Sequence, residues 1–133
     1  MFVNMTSSYT AKLDQYRHEY LTWKRMLEFF KQENAFLKTR LSEVVDRNTD
    51  KEFLALAEHF QNQFIIKDEF MDELRHDVNE IEASIKPLTG SAKITPDKKI
   101  EAKQNKLRNE MEYLEKNFTQ LKNEFNKYLV SVL

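Results

Sequence analysis

The chain has 133 residues, 41% of them hydrophobic and 32% charged, with a formal net charge of −1. That apolar content excludes a disordered chain, and the near-neutral balance offers no global attraction to nucleic acid. It has no cysteine, which excludes disulfides and thiolate chemistry, and only one glycine and two prolines.

The opening decapeptide, MFVNMTSSYT, has no basic start and no long apolar run, so no signal peptide is expected. Downstream, apolar residues recur at alternate steps of three and four from Leu13 through Tyr16, Tyr20, Trp23, Leu27, Phe30, Leu37 and Leu41 to Val44. Asn34 is the one polar residue in this seam. A first helix is expected over about 8–46.

Thr49 followed by Glu52 has the spacing of a capping box and predicts a helix over about 50–86. Its seam runs from Phe53 through Phe60, Phe64, Met71, Leu74, Val78 and Ile81 to Ile85, interrupted by Lys67. Pro87 disfavours helical angles at Lys86 and predicts the stop there. Both prolines and the glycine fall between 87 and 96, the expected connection. Thr95 before Pro96 predicts a capped third helix over about 96–132, with a seam from Ile100 to Val132 broken by Gln104.

Twenty-seven of the thirty seam positions are apolar, where a 41% composition supplies about twelve. A 3.5-residue period held this long is the coiled-coil signature. Residues 1–133 are therefore expected to form a single all-α domain, a long antiparallel three-helix coiled-coil-like bundle. Long antiparallel helices with a seam tryptophan, Trp23, in the first make the architecture resemble a spectrin-type three-helix repeat. That resemblance implies a fold and carries no activity or binding residues.

A connection of about three residues forces the first two helices into a hairpin. Matching the seams about the turn sets Asn34 against Phe64, Lys31 against Asp68, Arg17 against Glu82 and Val45 against Leu54, and brings Lys24 near Arg75. Residues 98–108 carry a local charge of +4 and residues 68–82 carry −6 with His76 neutral. A third helix folded antiparallel onto the second would lay these runs side by side. The basic run thus has an intramolecular partner, and it lacks the interleaved aromatics that stack bases, so no nucleic-acid role is expected.

No catalytic constellation stands out: there is no cysteine, no glycine-rich loop and no Ser/His/Asp grouping. The chain is read as a non-enzyme with no cofactor. Glu73 and His76 have the E-x-x-H spacing of carboxylate-bridged metal bundles, with His18 across the hairpin, but a full site needs two such motifs and two further glutamates. All three histidines fall at outward heptad positions. The metal reading therefore survives only as a bundle completed by dimerisation.

Asn34, Lys67 and Gln104 are the polar seam residues, the type that fixes register at a cost in stability. For Lys67 two alternatives stand beside register: its ammonium reaching water along its stem, or a buried reactive amine. Glu33 and Glu115 are its candidate counterions. Met26 and Phe70 at flanking positions mark the side on which the third helix is expected to dock. Phe29, Phe36 and Ile66 lie farther round, and with Met26 or Phe70 at the margin they form a candidate contact patch. The expected function is a non-catalytic interaction or scaffold protein that binds a second copy or another helical protein. The expected location is the cytoplasm, since the cysteine count suits a reducing compartment and no stretch is apolar enough to span a membrane.

Overall fold

A computed structural model describes the backbone of residues 2–90 and 96–133, with side chains from residue 8 onward in the same ranges. Three long helices, α1 (Phe2–Val45), α2 (Lys51–Ile85) and α3 (Lys98–Val132), form a bundle, and no strand occurs among the described residues. The first helix begins six residues ahead of the expected start. With no glycine or proline in any of the three helices, nothing in them interrupts the backbone ladder.

The N-terminal caps of α2 and α3 stand one and two residues beyond those expected. Asp50, in extended conformation, caps α2 by accepting the Glu52 N–H at 2.9 Å. Thr49 stands one position too early for that geometry. Asp97 caps α3, accepting the N–H groups of Lys99 and Ile100 at 2.8 and 3.4 Å. Pro96 therefore precedes the cap and is not the first helical residue, and Thr95 lies outside the described residues. An ionised carboxylate at a helix N-terminus also opposes the positive end of the helix dipole, which favours aspartate at both sites.

Lys86 does not leave helical angles before Pro87. Its φ and ψ are −54° and −44°, and its N–H still donates to the Glu82 carbonyl. Pro87 then opens a 3-10 turn, Lys86–Leu88, at a position where its missing N–H removes no bond. Gly90 follows with φ +83°, the left-handed conformation that a side chain disfavours.

All the seam positions are buried except Lys67 and Val132, which are partly exposed. Tyr9 and Leu129 are buried in addition. The direction of α3 follows from side-chain contacts. Against α2 the rings pair Phe53 with Tyr128, Phe64 with Phe125 and Phe70 with Tyr113, at centroid distances of 5.3, 5.1 and 6.1 Å, an antiparallel arrangement. Against α1 the partners hold a fixed offset of 88 or 89 residues: Tyr9 with Asp97, Tyr16 with Gln104, Glu19 with Arg108 and Glu33 with Lys122. A constant offset means parallel helices in one register.

Near the α1–α2 turn the core is aromatic. Phe60 packs on Phe125 and Tyr128 at 5.4 and 5.1 Å, and Phe64 meets Phe125 edge to face at 87°. Such pairs add to the burial energy of their rings. The Tyr128 hydroxyl satisfies itself by donating to the Phe53 carbonyl at 3.0 Å.

Candidate interaction surface

Two amides, Asn34 and Gln104, are fully buried in the otherwise apolar core. They are built alike. The Asn34 side-chain N–H₂ donates to the Phe64 carbonyl at 2.9 Å and to Asp68 Oδ1 at 2.8 Å, joining α1 to α2. Asp68 in turn pairs with Lys38 and, at 3.7 Å, with Lys31. The Gln104 N–H₂ donates to the Tyr16 carbonyl at 3.2 Å and to Glu19 Oε1 at 3.3 Å, joining α3 to α1. Arg108 grips Glu19 through Nε and Nη2, both at 2.7 Å. Each amide thus reads a backbone carbonyl and a carboxylate on the neighbouring helix, and a cation holds that carboxylate in place.

The electrostatics follow the geometry. Burial alone would push the Glu19 carboxyl up, but hydrogen bonds from Arg108 and Gln104 outweigh it and hold the group below the usual carboxylate range. At Asp68 burial is likewise outweighed, by Lys38, Asn34 and Lys31 together. The amide oxygens Asn34 Oδ1 and Gln104 Oε1 have no hydrogen-bond partner among the described residues. A slipped register would strand the donors as well, and this penalty is what lets a seam amide specify alignment.

Lys67 is placed differently from these amides. It is half-buried and lines a groove between α2 and α3 with His59, Gln63, Asn117, Gln120 and Glu124. Neither proposed counterion pairs with it. Glu33 is taken by Lys122, and no ion pair to Lys67 or to Glu115 lies within 4 Å among the described residues. The partner that Asn34 finds on α2 is Asp68, one residue beyond Lys67.

Of the hairpin pairs, Asn34 faces Phe64 and Lys31 reaches Asp68 as matched by sequence, while Glu82 pairs with Lys24 at 2.6 Å instead of Arg17. Arg75 turns to Asp72 at 3.7 Å, so Lys24 and Arg75 each have a carboxylate partner of their own. The basic start of α3 does border the acidic stretch of α2, with Asp77, Glu80, Lys103, Lys106 and Glu110 around one cleft. Its ion pairs within 4 Å to another helix nevertheless go to α1, through Lys12–Glu101 and Glu19–Arg108.

The candidate patch residues separate into two groups. Met26 and Phe70 are half-buried and pack on the core, and the Phe70 ring meets Tyr113 of α3. Phe29 and Phe36 are 57% and 64% exposed. They lie four residues before and three after Glu33, whose bond to Lys122 marks the α1–α3 flank, so both stand outside that flank. Ile66, half exposed, lies three residues after Gln63 and four before Phe70, outside the α2–α3 flank. The third helix stands between them, so Phe29 and Phe36 share a face and Ile66 is on another. Sequence periodicity placed each residue on its own helix but not the helix that divides them.

A third apolar feature lies opposite α3. Leu41, Val45, Leu54, Ala57 and Ile65 line an open groove of about 420 Å³ between α1 and α2 near their turn. The Val45–Leu54 flank match was its sequence signal.

Of the metal-ligating groups, His76, Asp77 and Glu80 bring ligand atoms within 4.8 Å of one another. Glu73 is not among them, although its place one turn before His76 and Asp77 puts it on the same edge of the helix. His18 lies beside Asp14 at 3.6 Å on α1. Lys103 and Lys106 face Asp77 and Glu80 across the cleft, and their charges work against a bound cation. Among the described residues no helix is long and apolar enough to cross a membrane. No protein-family model, no curated protein and no solved structure matches this chain.

Proposed function

We propose that this protein is a non-catalytic helical-bundle interaction protein that acts by associating with itself. The observation that carries this reading is the pair of exposed phenylalanines, Phe29 and Phe36, on one outer face of α1. The three internal seams are already filled, and although the Phe29 ring touches the core ring of Phe30 at 5.8 Å, both Phe29 and Phe36 keep more than half of their surface in water. Exposed large apolar residues grouped on one helix face mark contact surfaces. The buried amides support the same reading, since Asn34 and Gln104 join and align helices.

The test is the mass of the full chain in solution across a concentration series. A wild-type dimer that Phe29→Glu with Phe36→Lys converts to a monomer of unchanged helicity supports the proposal. A strictly monomeric wild type refutes self-association. A metal-binding bundle is the alternative, and the cluster of His76, Asp77 and Glu80 is what favours it. Zinc titration of the wild type against His76→Ala separates that reading. For location we propose the cytoplasm, on the absence of cysteine, to be checked by fractionation.

A further inference from the structure

The outer face of α1 carries a second heptad stripe, independent of the buried seam. Arg25, Phe29, Gln32, Phe36, Thr39 and Glu43 recur at steps of four and three, and all are exposed. A stripe with that spacing presents one continuous line along a helix, as a coiled-coil partner requires. Its two ends are opposite in charge. Arg25 forms no ion pair among the described residues, and Nη2 reaches only the Thr22 hydroxyl at 3.4 Å. Glu43 has one exposed neighbour, Arg40, at 3.6 Å.

We infer that this stripe is the contact for a second copy of the chain, packed antiparallel about a two-fold axis, with Arg25 of each copy opposite Glu43 of the other. The inference rests on the self-association proposed above and specifies its geometry. Charge chooses both direction and register. A parallel pair in register would set Arg25 on Arg25 and Glu43 on Glu43. The antiparallel alignment sets Phe29 against Thr39 and Gln32 against Phe36, with an Arg25–Glu43 pair at each end. Sliding by one heptad in one direction opposes Arg25 to Phe36 and Glu43 to His18. In the other it opposes Glu43 to Gln32 and carries Arg25 past the end of α1 towards Asp50, the α2 cap, so neither slide keeps the Arg25–Glu43 pairs. An isologous contact needs only this self-complementarity, and it closes at two copies.

The experiment is sedimentation equilibrium of the full chain, with circular dichroism to confirm that each variant stays helical. The wild type is expected to dimerise. Arg25→Glu and Glu43→Arg should each weaken the dimer by about tenfold or more, since two symmetric attractions become repulsions. The double variant Arg25→Glu with Glu43→Arg should regain most of that loss. A dimer indifferent to the single charge reversals, or one that the double variant fails to restore, overturns this register and leaves self-association standing. Assemblies larger than a dimer with the same indifference place the contact on the Ile66 face or the α1–α2 groove, and overturn it likewise. A wild type that stays monomeric overturns the register and the self-association together.

Discussion

Asp68→Ala isolates what the α1–α2 clamp contributes. The substitution removes the acceptor of an Asn34 N–H at 2.8 Å and the counterion of Lys38. A hydrogen bond to a charged group is worth about 1.5–3 kcal/mol when its buried partner is left behind. The Lys38 pair is partly exposed and adds at most about 1 kcal/mol. Lys31 retains Asp72 at 2.8 Å, so its loss is small. Alanine recovers a few tenths of a kcal/mol through helix propensity, and the net expected cost is about 2–3 kcal/mol. In an Asn34→Leu background the buried donor is absent, and Asp68→Ala should then cost only about 1 kcal/mol or less. Asn34→Leu alone should be close to neutral, because it also removes the unpartnered Oδ1. Urea unfolding of the four proteins, followed by far-ultraviolet circular dichroism, gives the coupling directly. Equal costs of Asp68→Ala in both backgrounds would refute the clamp, since unconnected sites add to within about 0.5 kcal/mol.

The seams were legible because one period, held over four heptads, leaves little freedom about which face is buried. The flanks were less so. Asn34 was recognisable as a register residue facing Phe64, but the hairpin match gives Asp68 to Lys31, and only the position of α3 shows which way Lys67 and Asp68 turn. Once α3 fills one side, Lys67 faces its groove and Asp68 is left on the α1 side among lysines. The same ambiguity hid Glu19, whose link to Gln104 depends on an offset between helices that no local pattern encodes. The α2 cap differs by one residue because Thr49 and Asp50 are both competent, and Asp50 is the one placed to accept the Glu52 N–H. The contact patch was read from each helix separately, and α3 splits it.

Three further perturbations test the packing and the charges. Lys67→Met should leave stability unchanged or raise it, because no counterion within 4 Å is stranded; a loss above about 2 kcal/mol in urea unfolding would show an ion pair that the structure lacks. Phe64→Ala, at a side chain with no exposure that meets Phe60 and Phe125, should cost about 3–5 kcal/mol, and a loss below 1 kcal/mol would mean that the aromatic cluster collapses into the gap. The last concerns acid. Glu19 and Asp68 are both held below the usual carboxylate range in the folded protein. A depressed carboxyl binds fewer protons folded than unfolded at intermediate pH, so its contribution is fully present above the unfolded value and lost as pH falls through the folded one. Stability should therefore decline from about pH 4 downward, the ordinary carboxylate range, and not near neutrality. Glu19→Gln with Asp68→Asn keeps the shape of both clamps while removing both titrations. That variant should be less stable at neutral pH and show a flatter acid limb when unfolding is followed against pH. An acid limb as steep as the wild type's would mean that other carboxylates govern it, and that the two clamps hold their anions no more tightly than solvent does.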